Sequence, residues 1–541
     1  MELGRTLTWT AERHPERLAF AGQRRLTYRE LDERTNRIAN LMTSLGVRRG
    51  NRVGLFLSNS EEMASTHLAL QKLGVMSIPY NIRLGVAELV YCLTDSAPTV
   101  VVVDAVASTL ADAVLTASDV QPIVLSVATD GVAGARDFEQ AVAEADPADP
   151  GIDVGPDDWS VMLYTSGTTG RPKGVPRTQR NEHAASVAHV IQCRYAQGEV
   201  TLGAMPMYHT MGLRSLLSMM VVGGTFVVQP VFSPDEAVDL IEQEGVTGLY
   251  LVPTAFWSVV HKGGDMERVA GSVRKLAFAG APMTSALCEQ LVQAIHPEVF
   301  VNHYGSSEVY TFSIADNAAA KPGAAGRPGI FGRWRVVNPT SDETHEPLPV
   351  GTEGEIVVDL RCDEAFAGYW QRPDADVKSI RHGWYHTGDI GRVDEDGDLW
   401  VEGRVDDMII TGGENVHPVE VEDAMSHHPD IAEVIVVGLP DERWGQAVTA
   451  FVVPVDGADT GELSPQIRDW AKNRSGLSPY KVPKRVEIVQ EIPKSPVGKI
   501  LRRKLIDAET QSPSGVLPAE PPAERPTAWL CRQSFQTTRS L

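Results

Sequence analysis

A loop rich in glycine and hydroxyl side chains follows a strand-like run, Trp159 to Tyr164. The loop reads Thr165-Ser166-Gly167-Thr168-Thr169-Gly170-Arg171-Pro172-Lys173-Gly174. Its glycines let backbone amides turn inward, its hydroxyls add donors and Lys173 adds a positive charge, a combination that suits phosphate oxygens. It is not a Walker A loop, because a glycine and not serine or threonine follows Lys173. The loop predicts nucleotide binding, and the competing interpretation is a surface turn.

Four more motifs follow this loop in order along the chain. They are Tyr304-Gly305-Ser306-Ser307-Glu308, Tyr385-His386-Thr387-Gly388-Asp389, Gly403-Arg404-Val405-Asp406-Asp407 and Pro493-Lys494-Ser495-Pro496-Val497-Gly498-Lys499. The ordered set resembles the adenylate-forming superfamily of acyl-CoA ligases, luciferases and peptide-synthetase adenylation domains, from about Leu26 to Leu505. The resemblance implies that the chain activates a carboxylate as its acyl-adenylate and passes the acyl group to coenzyme A, with release of AMP and pyrophosphate.

The resemblance also implies how ATP is held. Glu308 would bind Mg²⁺, a cation that favours hard oxygen ligands, with Thr165 as a hydroxyl partner. Asp389 and Arg404 would bind the ribose, and Tyr304 would flank adenine. The predicted ATP-binding residues are Thr165, Ser166, Gly167, Thr168, Thr169, Gly170, Lys173, Gly280, Ala281, Pro282, Tyr304, Gly305, Ser306, Ser307, Glu308, Asp389, Arg404 and Lys499. Ser306 and Ser307 stand where relatives often carry threonine, which keeps the hydroxyl donors.

A lysine near the end of the last motif is the predicted catalytic cation. By resemblance, the Lys499 ammonium bridges the substrate carboxylate and the α-phosphate, whereas the alternative is a surface lysine beside a basic stretch. Glu308 and His209 complete the predicted catalytic set. Relatives rotate their C-terminal domain between the two half-reactions, and Asp406 matches the hinge residue; its alternative is an ordinary turn acid.

The acid-binding pocket is predicted from a likeness to bacterial aryl-CoA ligases of the 4-chlorobenzoate type. The likeness rests on Met205-Pro206-Met207-Tyr208-His209, Phe278-Ala279-Gly280-Ala281, Gly403 to Pro418 and Arg443-Trp444-Gly445-Gln446. The matching pocket positions are Ala188, His209, Tyr250, Ala279, His303, Gly305, Tyr310 and Thr311. Two histidines and two tyrosines favour a small benzoate-like or furoate-like acid over a medium- or long-chain fatty acid. Each of these residues could instead be core packing.

The acceptor of the acyl group is predicted to be coenzyme A. Gly412 and Gly413 lie in a segment that resembles the pantetheine tunnel of CoA ligases, where glycines permit close approach. Trp444, Tyr480, Lys481 and Arg485 are predicted to bind the CoA nucleotide; the alternative is a core tryptophan and a solvated basic face. No carrier domain follows in the sequence, which weakens the alternative of a carrier-protein-loading enzyme. A degenerate nucleotide-binding regulator is disfavoured because the lysines and acids of every motif are present.

The elements that position these motifs alternate between helical and strand-like patterns. Leu31, Ile38, Ala39 and Met42 share one helical face, and strand-like runs occur at 52–57 and 100–103. The alternation predicts an α/β fold. We expect a large multi-subdomain N-terminal domain (1–405) with mixed and parallel sheets flanked by helices. A small mobile α/β C-terminal domain (406–508) and a disordered proline-rich tail (509–541) are expected to follow.

Composition limits the partners. The 541 residues include 49 basic and 71 acidic side chains, a formal charge of -22, which disfavours nucleic acid and anionic membranes. The five scattered cysteines form no CxxC pair and indicate neither a zinc site nor a disulfide framework. The N-terminus lacks a signal-peptide core, and no apolar run reaches the length of a membrane span. We therefore expect a cytoplasmic monomer or homodimer whose ligands are a small carboxylate, Mg²⁺-ATP and CoA.

Overall fold

The computed structural model describes residues 2–165, 171–339, 345–404, 407–411, 414–441, 443–455, 457–458, 461–475, 477–494 and 500–511. Its helices are α1 (Leu3–Arg13), α2 (Tyr28–Ser44), α3 (Glu61–Gln71), α4 (Val86–Ser96), α5 (Ser108–Thr116), α6 (Phe138–Glu144), α7 (Gln179–Gln192), α8 (Thr210–Val222), α9 (Pro234–Glu244), α10 (Pro253–Lys262), α11 (Met266–Ser272), α12 (Ser285–Ile295), α13 (Pro373–Ser379), α14 (Pro418–Ser426), α15 (Leu463–Asn473) and α16 (Arg502–Gln511).

The strands up to the middle of the chain are β1 (Leu18–Ala21), β2 (Leu26–Thr27), β3 (Arg52–Phe56), β4 (Met76–Pro79), β5 (Val100–Asp104), β6 (Ile123–Val127), β7 (Arg136–Asp137), β8 (Trp159–Thr165), β9 (Lys173–Thr178), β10 (Val200–Gly203), β11 (Thr225–Val228), β12 (Gly248–Leu251), β13 (Lys275–Ala279) and β14 (Val299–Tyr304). The later strands are β15 (Ser313–Ala315), β16 (Ala324–Pro328), β17 (Trp334–Val337), β18 (Gly354–Asp359), β19 (Ile380–Arg381), β20 (Trp384–Val393), β21 (Leu399–Arg404), β22 (Ile409–Thr411), β23 (Glu414–Val416), β24 (Ile431–Asp441), β25 (Gly445–Pro454) and β26 (Arg485–Ile488).

Two sheets form the N-terminal part of the molecule. The first has the order β7-β6-β5-β3-β4-β8-β9, parallel except for the antiparallel β8–β9 pair. The second, called the long sheet, has the order β17-β18-β20-β21-β16-β15-β14-β13-β12-β10-β11-β1-β2. Its strands from β14 to β1 are parallel, and those from β14 to β17 pair antiparallel. The long sheet thus joins a parallel half to an antiparallel half at β14.

The C-terminal part has its own sheet and its own cores. Its order is β23-β22-β25-β24, with β26 pairing parallel to β25. Two hydrophobic clusters, drawn from residues 409–505, pack on the two faces of this sheet. Contacts with the rest of the molecule include Ser285, whose amide and hydroxyl both donate to the Asp423 carboxylate. The C-terminal part therefore has hydrophobic cores of its own.

The sequence patterns predicted several of these elements from local chemistry. Helix α2 begins after Thr27, whose hydroxyl and backbone exchange hydrogen bonds with Glu30 in a capping box. Its four predicted apolar residues are all buried. The 394–398 segment forms the turn between β20 and β21. The predicted α/β architecture, with mixed sheets flanked by helices, is therefore confirmed. Among the described residues, no helix has both the length and the apolar character that a membrane crossing requires.

Candidate active site

Three neighbouring parallel strands, β12, β13 and β14, end on one edge of the long sheet. Tyr250 pairs with Ala277, and Ala279 pairs with His303, so the predicted pocket residues of all three strands lie near this edge. Gly280 follows β13 with a φ of 87°, and a β-carbon built on it would lie 3.4 Å from Val252 Cγ1. In open α/β sheets the carboxyl ends of the strands form the ligand-binding crevice. The strand order therefore gathers residues that are far apart in the sequence.

The last two residues of β14 face opposite sides of the long sheet, because side chains alternate along a strand. The Tyr304 hydroxyl donates to the Asp389 carboxylate on one side. His303 Nε2 lies 3.3 Å from Cys193 Sγ, at the end of α7, on the other side. Strand β14 thus lies between the predicted nucleotide-binding residues on one face and the predicted acid-binding residues on the other.

The predicted ribose residues form one cluster. Asp389 on β20 pairs with Arg404 on β21, and Arg404 Nε lies 3.5 Å from Asp389 Oδ1. Arg404 also donates to the Thr387 carbonyl at 3.3 Å. Burial and the adjacent Asp389 carboxylate raise the pKa of Tyr304 well above its usual value, so its hydroxyl remains a donor. The cluster holds a carboxylate ready to accept hydrogen bonds from vicinal hydroxyls.

The predicted metal ligand, Glu308, lies in a small cluster of polar groups. Its Oε1 accepts a 2.7 Å hydrogen bond from the buried Tyr369 hydroxyl, and Lys173 Nζ lies 4.6 Å from the Tyr369 ring centroid. Burial lowers the pKa of Lys173, and the Glu308 carboxylate opposes this shift. Thr165 ends β8 directly opposite Lys173 in the β8–β9 ladder. A buried carboxylate that receives a neutral hydroxyl donor on one oxygen fits a hard cation such as Mg²⁺.

A buried arginine that the sequence analysis did not single out supports this segment. Arg177 on β9 is fully buried and pairs with Glu182. Its NH1 group also donates to the carbonyls of Ser307 at 3.2 Å and Glu364 at 2.9 Å. Arg177 therefore fixes the backbone that carries Glu308.

Gly305 begins the tight turn from β14 to Glu308. A β-carbon at this position would lie 1.9 Å from the Tyr310 carbonyl oxygen and 2.5 Å from its carbon. These are backbone atoms, so they cannot move aside as a side chain can. The Ser306 amide donates to the Val309 carbonyl at 2.8 Å within the same turn. Close backbone approach, rather than an unusual φ, therefore requires the glycine.

We expect Gly305→Ala to slow acyl-adenylate formation by about 10²-fold, because displacement of the turn moves Tyr304 and Glu308 together. Pyrophosphate exchange into ATP measures this step. Gly271→Ala is the matched control, since no atom lies within 4 Å of a β-carbon built there and its φ is ordinary. Equal exchange rates in the two variants would contradict the structural requirement.

His209 caps the N-terminus of α8. Its Nδ1 accepts a hydrogen bond from the Met211 amide at 3.4 Å. The segment before it is held by buried Asn59, which donates to the Met205 carbonyl at 2.9 Å and accepts from the Met207 amide at 2.8 Å. The position of His209 is therefore set by a side chain about 150 residues earlier, which no local pattern could indicate.

Four of the predicted pocket residues, Tyr250, His303, Tyr310 and Thr311, lie in one buried polar cluster. The Tyr250 and His303 ring centroids lie 5.3 Å apart, and the Thr311 hydroxyl lies 3.5 Å from His303 Nδ1. Tyr310 lies between two guanidinium groups, with Arg177 Cζ 3.5 Å and Arg214 Cζ 4.7 Å from its ring centroid. Ala188 is buried on α7.

Three members of this cluster were absent from the sequence prediction. His189 follows Ala188 on α7, and its ring centroid lies 4.6 Å from that of Tyr250 and 4.9 Å from that of His303. Cys193 ends the same helix. Arg214 on α8 donates to the Thr311 hydroxyl. A charged residue inside the otherwise uncharged segment 210–222 is the one sequence signal that could have identified Arg214.

The predicted CoA-binding residues lie on the C-terminal sheet and its loops. Trp444 is flanked by two cations, Arg443 at 4.7 Å and Lys484 at 5.5 Å from its ring centroid. Lys481 is paired with Glu420 at 2.5 Å. Tyr480 is exposed, and Arg485 is exposed on β26. The structure thus groups Trp444 with Arg443 and Lys484, whereas the charge of Lys481 is already neutralised.

Several predicted residues lie outside the described part of the chain. They are Ser166, Gly167, Thr168, Thr169 and Gly170 of the phosphate loop, the proposed hinge Asp406, the glycines Gly412 and Gly413, and Lys499. The tail beyond residue 511 also lies outside it. Ala281 and Pro282 are described, and they continue the turn that Gly280 begins.

The chain matches known proteins over most of its length. It is 35% identical over 502 residues to feruloyl-CoA synthase of Amycolatopsis sp, covering 91% of this chain and 94% of the relative. It is 35% identical over 489 residues to the long-chain-fatty-acid–CoA ligase FadD13 of Mycobacterium tuberculosis, covering 89% and 92%. It is 33% identical over 510 residues to 4-chlorobenzoate–CoA ligase of Arthrobacter sp, covering 92% and 94%.

The fold agrees with these sequence matches. The anthranilate CoA ligase AuaEII in complex with anthranoyl-AMP superposes with a TM-score of 0.88 at 25% identity, covering 94% of this chain and 98% of that one. The model of the AMP-binding enzyme family matches residues 7–370, and that of the AMP-binding enzyme C-terminal domain matches residues 420–499. The resemblance inferred from the ordered motifs is confirmed, and the chain belongs to the AMP-binding, adenylate-forming enzyme family.

Proposed function

We propose that the protein is an AMP-forming acid–CoA ligase that acts on a small aromatic or heteroaromatic carboxylate. In the first half-reaction the acid carboxylate attacks the α-phosphorus of ATP, and pyrophosphate leaves. In the second, the CoA thiol attacks the acyl carbon, and AMP leaves. The observation that carries the proposal is the division at β14: Tyr304 and Asp389 lie together on one face, and His303 and Tyr250 lie in a buried polar cluster on the other. Gly305 follows these two residues of β14 directly.

Adenylation must bring two anions together, so the proposed roles are electrostatic. Glu308 and Thr165 would hold Mg²⁺, which would supply positive charge to the phosphates. Lys173 and the loop that precedes it would bind the phosphates together. Lys499 would neutralise the charge that develops between the carboxylate and the α-phosphate. Asp389 and Arg404 would position the ribose.

The second half-reaction needs a different arrangement, because Lys499 cannot occupy the site while a thiol attacks. We assign the hinge to Asp406 and take residues 406–508 as the domain that rotates. Trp444 is our proposed stacking surface for the CoA nucleotide. The cations Arg443 and Lys484 lie beside its ring and would contact the phosphates. Gly412, Gly413, Tyr480, Lys481 and Arg485 remain proposed contacts.

We expect Asp406→Pro to slow thioester formation more than adenylation, because proline fixes φ and removes a backbone donor at the hinge. The two rates are measured separately: pyrophosphate exchange reports the first, and CoA-dependent consumption of supplied acyl-adenylate reports the second. Asp406→Ala is the control, since it removes the carboxylate but leaves the backbone free to rotate. Equal losses of both rates in Asp406→Pro would count against the hinge.

The acid is proposed from the chemistry of the pocket. A lining of buried His303, Tyr250, Thr311 and the unpredicted Arg214 suits an acid that carries polar atoms and is poorly suited to an alkyl chain. The similarity to a fatty-acid ligase keeps a medium- or long-chain acid as the second candidate.

A panel of benzoate, furoate, cinnamate and octanoate, assayed for AMP formation that depends on both ATP and CoA, tests the proposal. We expect at least one aromatic or heteroaromatic acid to exceed octanoate in kcat/KM. A strong preference for octanoate over every aromatic acid would overturn the substrate assignment. Activity with a carrier protein but not with free CoA would overturn the proposed acceptor.

A further inference from the structure

The buried side chain of Arg214 lies at the inner end of the proposed acid pocket. Its NH1 group donates to the Thr311 hydroxyl, and its NH2 group lies 3.9 Å from Glu364 Oε2. Only 2% of Arg214 and 1% of Glu364 are exposed. Within the described residues, Arg214 Nε and Glu364 Oε1 have no hydrogen-bond partner. A buried donor and a buried acceptor without partners indicate a ligand that supplies both.

The distance between the Arg214–Glu364 pair and the proposed site of adenylation follows from positions along α8 and β14, the two elements that carry the cluster. Arg214 lies five residues beyond His209 on α8, which is about 7.5 Å along a helix axis. His303 lies two residues before Gly305 on β14, which is about 6.6 Å along a strand. Both elements therefore place the cluster about one aromatic ring away from the proposed site of adenylation.

The rings around Arg214 are neutral. Burial, with a contribution from Arg214, lowers the pKa of His303 and of His189 well below the usual value for histidine. Burial raises the pKa of Tyr250 to about 12, so its hydroxyl stays protonated. The groups that face the inner end of the pocket are thus polar, and Arg214 and Glu364 are its ionisable pair. Burial raises the pKa of Glu364, and the adjacent Arg214 and Arg177 oppose this shift.

The charges of this region balance among the described residues. Arg177 pairs with Glu182, and Arg214 lies beside Glu364. A second carboxylate on the substrate would be an unmatched buried anion and would compete with Glu364 for Arg214. A neutral group that both accepts and donates leaves the balance unchanged.

A metal ion is a poorer fit for the same space, although His189, Cys193 and His303 have the composition of a metal site. Cys193 Sγ is nearly equidistant from the two nitrogens of His189, at 3.8 and 3.7 Å, so neither nitrogen is preferentially directed toward it. Arg214 already brings a positive charge close to both imidazoles, and burial raises the pKa of the Cys193 thiol, whereas a metal needs the thiolate.

We propose that Arg214 and Glu364 form a specificity subsite for a hydroxyl group on the acid, carried on the aromatic ring at the end remote from the activated carboxylate. The hydroxyl oxygen accepts from Arg214, and its proton is donated to Glu364. This inference rests on the proposed function, because it assumes that an aromatic carboxylate is adenylated at the edge of the long sheet.

Matched pairs of acids test the subsite. The pairs are 4-hydroxybenzoate with 4-methylbenzoate, and 4-hydroxycinnamate with 4-methylcinnamate, in which a methyl group of similar size replaces the hydroxyl. For the pair whose length suits the pocket, we expect kcat/KM of the wild-type enzyme to favour the hydroxylated acid by at least about 10-fold, as for a hydrogen bond to a charged group. Terephthalate is expected to be a poorer substrate than 4-hydroxybenzoate.

The variants separate recognition from folding. Arg214→Met keeps an unbranched apolar stem but removes the guanidinium group and leaves Glu364 unpaired, so the double variant Arg214→Met/Glu364→Gln removes both charges together. We expect the hydroxyl-to-methyl ratio to fall to about 1 in the double variant, through loss of activity on the hydroxylated acid. A purely structural role would lower kcat/KM for both acids of a pair by the same factor and leave their ratio unchanged.

Four results would overturn the inference. The first is a wild-type ratio near 1 in both pairs, and the second is a ratio that survives in the double variant; in both, the proposed ligase function stands because aromatic acids are still consumed. The third is activity with octanoate and with no aromatic acid, which removes the proposed substrate class as well. A preference for terephthalate would show that this subsite binds an anionic group and not a hydroxyl, which would also contradict the inference.

Discussion

Lys499→Ala is expected to slow acyl-adenylate formation by about 10²–10³-fold, because a preorganised cation at a developing charge contributes on that scale. The same variant should still convert supplied acyl-adenylate and CoA to the thioester, since Lys499 has no proposed role once AMP is the leaving group. Pyrophosphate exchange and single-turnover thioester formation measure the two steps.

The control for this variant is Lys504→Ala. Lys504 is exposed near the start of α16 and belongs to the same basic stretch. If both variants behave alike, Lys499 is an ordinary surface lysine. If Lys499→Ala retains both half-reactions, the electrostatic role assigned to it is wrong.

Arg177→Met is expected to destabilise the folded protein by about 3–5 kcal/mol, the effect of removing one partner of a buried ion pair. Glu182 would be left as a buried unpaired carboxylate, and the carbonyls of Ser307 and Glu364 would lose their donor. Because the same carbonyls hold the Glu308 segment, the surviving folded fraction should also bind Mg²⁺-ATP more weakly. Urea unfolding and the KM for ATP measure the two effects.

A nearby arginine provides the control for Arg177. Arg180 is three residues away, and its pair with Asp157 lies at the surface, so Arg180→Met should change the unfolding curve little. Arg177→Met/Glu182→Gln should recover part of the stability, because it removes the unpaired charge. Similar unfolding curves for Arg177→Met and Arg180→Met would show that the buried pair does not stabilise this region.

Elements that are specified by interactions within one short segment were predictable. The capping box of Thr27 and Glu30 and the apolar face of α2 lie within one segment, and the acidic turn at 394–398 lies between its two strands. The pairing order of the long sheet was not predictable, because β1 pairs with β11 across about two hundred residues. Strand patterns show that a strand exists but carry no information about its neighbour.

The proposed nucleotide-binding and acid-binding residues were predicted from their motifs. Their hydrogen-bond partners were not predicted. Tyr304, Glu308 and Asp389 were identified by their motifs, but the hydrogen bonds of Tyr304 to Asp389 and of Tyr369 to Glu308 join distant segments. Arg177 and Arg214 belong to no motif that was recognised. Their burial, which gives them their effect, is a property of the packed structure.

By itself, the sequence determined the family, the order of its motifs and the kinds of groups available for adenylation, because each motif is a short contiguous run. Only the tertiary structure decided that Arg214 and Glu364 lie in one buried cluster with neutral His189 and His303. It could do so because burial, pairing and charge balance depend on which distant segments meet, and those contacts are made across the sheet and between α7 and α8.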